Sequence, residues 1–215
     1  GRTILYVSHH LPSVARLSKR SLVLDHGQAI FDGPTLTAIR KYEQQIGGYH
    51  SSRSWAVADA PGDERARFLA VEIHANGAPV SGPVDTRFPL ELRVVYEVLE
   101  GGHTILPGLH LHDFSGNPIL SSIDTHPEWH GQPRATGTYE TVTRFPANFF
   151  NEGSFTIGLS LVTQAPFKCH AYLHDTLAFS VYDSGLPGSS RGVFRGELKG
   201  YFLPMLDWQT QRCSA

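Results

Sequence analysis

The sequence has little cysteine, a single methionine and no long apolar run. Its two cysteines, Cys169 and Cys213, are too few and too far apart to indicate a disulfide framework, which predicts reduced thiols in the cytoplasm. No apolar stretch approaches the ~20 residues that a helix needs to cross a bilayer. Positive charge is not in excess either: 18 Lys and Arg stand against 20 Asp and Glu, and the net charge of −2 argues against nucleic acid as a partner.

What is present is an ordinary globular composition, with 40% hydrophobic and 18% charged residues. The hydrophobic periodicity changes along the chain and predicts three parts. Residues 1–46 mix strand and helix patterns, residues 47–64 are rich in Ser, Ala, Asp, Gly and Pro as in a linker, and residues 65–215 alternate as strands do. Trp55 in the linker is either a docking anchor or an exposed aromatic.

The first part begins with β-branched and aromatic residues at 3–8, a pattern that predicts a buried strand of an α/β sheet ending at Ser8 and His9. Pro12 suits the first turn of a following helix. Two short strands at 22–25 and 28–32 flank the turn residues His26 and Gly27. A second helix is then predicted over 35–46.

The order of these features, with Ser8-His9, Leu24-Asp-His-Gly27 and Phe31-Asp-Gly-Pro34, resembles the last third of an ABC-transporter ATPase domain. The resemblance implies that His9 is the switch histidine that reaches the γ-phosphate of ATP. An imidazole at the carboxyl edge of a sheet can hydrogen-bond a phosphate oxygen and orient a water. A single histidine at a strand end is otherwise usually structural, so the flanking pattern carries this assignment.

The other nucleotide-binding motifs of such a domain are missing. The sequence contains no Gly-x-x-x-x-Gly-Lys-Ser/Thr phosphate loop, no Leu-Ser-Gly-Gly-Gln signature and no apolar strand ending in Asp-Glu. We therefore expect no ATP hydrolysis by the chain as given, and ATP with Mg²⁺ only in an intact parent of which this is a fragment. The chain itself is not expected to be an enzyme.

From residue 65 onward apolar and polar residues alternate, most clearly over 90–98. Asn76-Gly77 is a hairpin signal, and other turn signals follow at 115–118, 151–153 and 165–166. Further strands are predicted at 69–73, 106–114, 119–123, 138–145, 154–163, 170–173 and 177–183. Strands without intervening helices predict a mainly β fold, an antiparallel β-sandwich of the Ig-like or jelly-roll kind, preceded by the truncated α/β fragment.

The C-terminal segment 191–208 departs from this alternation. Glycines at 192, 196 and 200 indicate an extended segment, predicted here as a C-terminal strand. Four of its side chains are too apolar to stay solvated: Phe202, Leu203, Leu206 and Trp208. We expect them to pack on their own sandwich or on that of a second subunit.

An ABC carboxyl portion followed by a β-sandwich and this ending resembles the Wzt-type ATPase subunits of O-antigen and related polysaccharide exporters. The resemblance implies that the sandwich binds a bacterial polysaccharide without any cofactor, and that the protein forms a homodimer by exchanging its terminal strand. It also implies association with a transmembrane permease subunit, on the cytoplasmic face of the bacterial inner membrane.

Candidate glycan-binding residues follow from strand alternation, because residues between core positions point to the outer faces. Aromatic rings stack on sugars, and planar or hydroxyl groups bind their hydroxyls. Trp129 in the loop 124–130 is the predicted stacking platform. The predicted polar contacts are His110, His112, Glu140, Arg144 and Ser160.

Three alternatives are considered at the level of sequence. His110-Leu-His112, with His126 and His130, has the beginning of a cupin-type metal motif, but the Glu that completes the motif is missing, so no metal site is predicted. Acidic residues that could serve a glycosidase are present, yet nothing selects a pair. The sandwich could also be a dimerisation module that binds no glycan.

Overall fold

The computed structural model describes residues 4–8, 11–45, 50–113 and 116–213. Two helices and a two-stranded hairpin come first: α1 (Leu11–Leu17), β1 (Arg20–Asp25), β2 (Gln28–Pro34) and α2 (Thr35–Gln45). His26 and Gly27 both have positive φ, which is the geometry of the two-residue turn that joins twisted antiparallel strands. The predicted hairpin and second helix are therefore present.

The strand predicted over residues 3–8 is not. Residues 4–8 lie outside any helix or strand, and Ile4, Leu5 and Val7 are exposed. A strand is stabilised by hydrogen bonding and side-chain contacts with neighbouring strands, and no strand in the described residues pairs with this segment. His9, the predicted switch histidine, lies outside the described residues.

The remaining strands build the sandwich that the alternation predicted. In chain order they are β3 (Ser52–Ser54), β4 (Ala66–Ala75), β5 (Ala78–Pro79), β6 (Val84–Asp85), β7 (Leu90–Val98), β8 (Leu106–Asp113), β9 (Pro118–Ile123), β10 (Gly137–Phe145), β11 (Gly153–Gln164) and β12 (Phe167–Tyr182). A short 3₁₀ turn spans Val57–Asp59. Asn76 and Gly77, both at positive φ, form the β4–β5 turn.

Two five-stranded sheets enclose one core. The first has the order β10-β7-β4-β3, with β5 on β4, and the second has the order β6-β12-β11-β8-β9. All pairs are antiparallel except β6 with β12. Alternate residues of β7 are buried and half-buried along its whole length, and their inward partners on β11 include Phe155, Ile157 and Leu159. The fold is thus an antiparallel β-sandwich.

Residues 50–64, which the sequence assigns to the linker, pack on the sandwich. The His50 carbonyl accepts a hydrogen bond from the backbone of Ala178, and β3 pairs with β4. The Trp55 ring lies 6.4 Å from that of Phe68 and is partly buried against the core. The composition of this segment suggested a solvated linker because small and polar residues dominate it. Trp55, its one apolar anchor, contributes little to that composition.

Asp63 fixes the end of this segment. Its carboxylate accepts from the backbone N–H groups of Arg65 and Ala66, from Lys168, and from Nδ1 of His170 at 2.9 Å. The buried His170 ring also hydrogen-bonds the Thr163 hydroxyl through Nε2. Burial alone would raise the pKa of Asp63, but the hydrogen bonds from Lys168, the backbone and His170 outweigh it and hold the pKa well below its usual range.

Asp63→Asn will lower the free energy of unfolding at pH 7 by about 1–3 kcal/mol, because the buried imidazole and the lysine lose an ionised acceptor. A carboxylate with a depressed folded-state pKa stabilises above its unfolded pKa of ~3.9, and that contribution is lost as the pH falls below it. Urea unfolding of the full chain should therefore show the full difference between wild type and the variant at pH 7 and a smaller one at pH 3, because the contribution vanishes only when the pH also falls below the depressed folded-state pKa. Asp59→Asn, in the same segment but exposed, is the control and should unfold as wild type. An equal gap at both pH values would contradict the assignment.

The C-terminal segment does not form the predicted strand. Within the described residues 184–213 its backbone makes one isolated β-bridge, Phe202 with Phe150. The Asn151 amide instead donates to the carbonyls of Leu198 and Gly200, and the Phe202 ring packs at a tilt against that of Phe149, 4.7 Å away. Glycine-rich chain lacks the side-chain contacts that hold a ladder together, so side-chain anchors fix this segment.

Candidate functional site

His110 lies at the centre of the outer face of the second sheet. It follows Leu109 and precedes Leu111, both of which are in the core, so its side chain points outward as predicted. Its two ring nitrogens lie 3.1 Å from the hydroxyl oxygens of Ser121 on β9 and Ser160 on β11. The structure thus joins His110 and Ser160, two of the predicted binding residues, in one hydrogen-bonded set.

Two further rings extend this set across β12. The Tyr172 ring is 5.0 Å from that of His110, and the His174 ring is 4.6 Å from that of Tyr172. Tyr172 is 45% exposed and lies on β12, which is the edge strand at this level because β6 pairs only with Val181 and Tyr182. The result is a strip of three adjacent rings on an otherwise small-residue surface.

Two glycines make room for the strip. A Cβ on Gly108 would lie 2.6 Å from the Ser160 hydroxyl, and a Cβ on Gly158 would lie 2.7 Å from the carbonyl of Leu173. Larger residues at these positions would clash with the Ser160 hydroxyl and with the β12 backbone, and would displace both from the sheet. β12 bulges here, because the three residues 174–176 face the single residue Gly158 between the pairs Leu159–Leu173 and Ile157–Leu177.

The bulge brings an acidic group to the surface. Asp175, at φ 40°, accepts a 2.6 Å hydrogen bond from the Thr156 hydroxyl and lies 3.9 Å from Nδ1 of His112. We call the whole surface the histidine face. It consists of Gly108, His110, His112, Ser121, Thr156, Gly158, Ser160, Tyr172, His174 and Asp175.

The pKa of His110 lies below its ordinary value. Partial burial disfavours the charged imidazolium, and the neighbouring His112 and His174 lower the pKa further by charge repulsion. His110 is therefore a neutral imidazole at pH 7, with one nitrogen donating and the other accepting a hydrogen bond. Neutral groups of this kind match sugar hydroxyls, which also donate and accept.

Trp129 lies elsewhere. Its ring packs edge-on against Tyr139 of β10, in the first sheet, and covers the guanidinium of Arg134 at 5.0 Å. The Arg134 side chain is almost fully buried between Trp129, Tyr139 and Tyr96, and it lies 3.5 Å from the Asp124 carboxylate. Trp129 is partly exposed, but much of its ring packs against the protein.

Glu140 and Arg144 point away from the sandwich on the opposite side from His110. They alternate with the inward-facing residues of β10, whose register with β7 places them on the outer face of the first sheet. That face carries cross-strand ion pairs, including Arg144 with Glu91 at 2.9 Å and Arg67 with Glu97 at 2.6 Å. The six predicted binding residues therefore occupy three places, and His110, His112 and Ser160 share one of them.

Metal ligation and a cavity beside the C-terminal segment are the other features that bear on a site. Among the described residues, no group of three or more His, Cys, Asp or Glu side chains is arranged to hold a metal ion. A cavity of about 620 Å³ between α1 and the C-terminal segment is lined by Arg16, Glu152 and Arg191. These charges are already paired with one another, which makes them part of the anchoring of the segment.

The sequence profile of the Wzt C-terminal domain matches residues 57–195, which is more than half of the chain. The chain belongs to the Wzt C-terminal domain family. Membership makes it a component of the ABC-transporter system of polysaccharide export and confirms the resemblance predicted from the sequence. No curated protein matches the chain.

A solved structure supports the fold of this Wzt-type domain. The crystal structure of the C-terminal domain of Wzt superimposes with a TM-score of 0.54 at 10% sequence identity, covering 82% of this chain and 99% of that one. At this identity the likeness shows the shared sandwich alone. The residues of the histidine face are argued from the present chain.

Sequence reasoning missed Tyr172, His174, Asp175 and Ser121. Tyr172 carried a signal, an aromatic between the apolar residues Ala171 and Leu173, whose alternation places it on the outer face. His174 and Asp175 carried none, because their position depends on the bulge. Ser121 depends on the register of β9 against β8, which no local pattern sets.

Proposed function

We propose that this Wzt C-terminal domain binds the polysaccharide substrate of its exporter on the histidine face. The observation that carries the proposal is the strip of three rings, His110, Tyr172 and His174, bordered by neutral hydrogen-bonding groups. Adjacent aromatic side chains exposed on a sheet face cost solvation unless a partner covers them. A pyranose ring offers such a partner, with an apolar face for the rings and hydroxyls for the polar groups around them.

The polar groups are already oriented for this task. Ser160 is buried and hydrogen-bonded to His110, and Ser121 holds the other nitrogen of the same ring. Groups that are fixed before binding lose little conformational entropy when a ligand arrives. The domain would act by binding and retaining a glycan, and no bond-breaking step is assigned to it.

The cellular setting of glycan binding is proposed from membership of the Wzt C-terminal domain family. A parent ABC ATPase would bring the glycan-loaded domain to a transmembrane permease at the cytoplasmic face of the inner membrane and so raise the local substrate concentration. Within the described residues no helix is long and apolar enough to cross a membrane. Since the phosphate loop is missing from the sequence and His9 lies outside the described residues, no step through ATP or Mg²⁺ is derived.

A homodimer is part of the proposal. Phe202 and Leu203 pack at the end of their own sandwich, where the Leu203 backbone N–H donates to the Phe149 carbonyl. Leu206 and Trp208, which follow, are 64% and 84% exposed. Two large apolar side chains on an extended terminus favour contact with a second subunit. Exchange of the terminal strand between two subunits would provide that contact. This is also the observation that favours a pure dimerisation module as the second candidate function.

The test is calorimetric titration of the full chain with a panel of purified bacterial O-polysaccharides. We expect saturable binding to at least one of them, a tenfold or greater loss in His110→Ala, and wild-type affinity in Arg144→Ala on the opposite face. Binding that depends on Arg144 and not on His110 would overturn the site. A dimeric chain that binds none of the polysaccharides would favour the dimerisation module.

A further inference from the structure

The histidine face differs from the rest of the sandwich surface in the charges it offers. Of its ten residues none is lysine or arginine, and its one carboxylate is that of Asp175. The three histidines lie close enough to repel one another when protonated, which keeps His110 neutral. A ligand on this face therefore meets hydroxyls, imidazoles and one carboxylate.

The basic side chains of the sandwich are concentrated on the other side. Arg67, Arg93 and Arg144 lie on the outer face of the first sheet, where each is bound to a glutamate at 2.6–2.9 Å. Lys168 is paired with Asp63 and Glu64 at the end of the sandwich.

An anionic sugar on the histidine face would lose its hydration without gaining a counter-charge. Removing a charged group from water is costly unless an opposite charge or several donors replace the water. Asp175 makes this worse, because like charges at short range repel. A neutral sugar avoids both costs and still uses the ring strip and the hydroxyls of Ser121, Thr156 and Ser160.

We infer that the histidine face selects an uncharged polysaccharide and rejects one that carries carboxylate or phosphate groups along its chain. This inference rests on the proposed function, since it names the substrate class of the same site. It assigns Asp175 the role of a specificity determinant that acts by repulsion. Discrimination by an unfavourable group against the wrong ligand is a general means of achieving specificity.

The experiment uses one polymer in two charge states. The neutral O-polysaccharide that binds best in the calorimetric panel is oxidised at its primary hydroxyls, which converts those sugars to uronates on the same backbone. Both forms are titrated into the full chain at pH 7.5 and 150 mM salt. We expect at least a tenfold weaker affinity for the oxidised polymer, and a smaller difference at 1 M salt because ions screen the repulsion.

Asp175→Asn is the matched variant. Asparagine tolerates the positive φ of this position and can still accept the hydrogen bond from Thr156, so the fold is kept while the charge is removed. We expect the difference in affinity between the neutral and the oxidised polymer to shrink several-fold in this variant.

The possible outcomes distinguish failure of the inference from failure of the proposed function. Preferential binding of acidic polysaccharides, or an unchanged discrimination in Asp175→Asn, would overturn the inference and leave the glycan-binding function in place. Failure to bind any polysaccharide, neutral or acidic, would overturn the proposed function itself.

Discussion

Tyr172→Ala will lower the affinity of the domain for its polysaccharide at least tenfold. Tyr172 is the central ring of the strip, and it contacts His110 on one side and His174 on the other. Its removal would take away the stacking surface and also leave the two imidazoles without the ring between them. Aromatic side chains at the centre of a binding surface commonly contribute more than 1.4 kcal/mol, which corresponds to a factor of ten in Kd.

The loss should be one of binding and not of folding, since Tyr172 is 45% exposed in the free chain. Phe167→Ala provides the control, because Phe167 lies on the same strand near the hairpin turn and is 74% exposed. It should bind as wild type does. Equal affinities of wild type and Tyr172→Ala, measured by calorimetry, would show that the ring strip is not the stacking surface.

Arg191→Met will destabilise the sandwich by about 3–5 kcal/mol. The Arg191 side chain is only 5% exposed and binds Glu152 at 2.9 Å, Asp183 at 3.3 Å and the carbonyl of Gly196 at 2.6 Å. Without the guanidinium, the buried Asp183 would lose its counter-charge and Glu152 would keep only that of Arg16. Removal of one partner from a buried ion pair costs this much because the other charge stays desolvated.

The free energy of unfolding from urea titration measures this effect. Arg16→Met is the matched control, since Arg16 contacts the same Glu152 but its side chain is 36% exposed, and its loss should cost less than about 1 kcal/mol. If Arg191→Met fails to accumulate, Arg191→Lys keeps the charge without the planar fork and should show an intermediate loss. A cost below 1 kcal/mol for both Arg191 variants would mean that the network does not anchor the C-terminal segment.

Local pattern predicted most of the sandwich. Strand β7 begins and ends where the alternation of 90–98 does, and inward and outward positions on β8, β10 and β11 follow the predicted parity. Parity works because side chains of a strand alternate strictly between its two faces. It fails at β12, where one strand with bulges replaces the two predicted ones.

The sequence could not show on which of the two sheets a given outward-facing residue lies. Arg144 and His110 are both outward by parity, yet strand pairing puts them on opposite sides of the sandwich. The exposed residues 4–7 show the same limit, since an apolar β-branched run becomes a buried strand only beside other strands. The hydrogen bond between His170 and Asp63 likewise joins residues more than a hundred positions apart, and no local sequence pattern predicts it.

The measurement that tests the central claim most directly is an NMR titration of the ¹⁵N-labelled chain with a fragment of the polysaccharide that binds. The account predicts that the amide shifts cluster on the histidine face, at His110, Ser160, Tyr172 and their neighbours on β8, β11 and β12. Shifts centred instead on Glu91, Arg93 and Arg144, on the outer face of the first sheet, would contradict it.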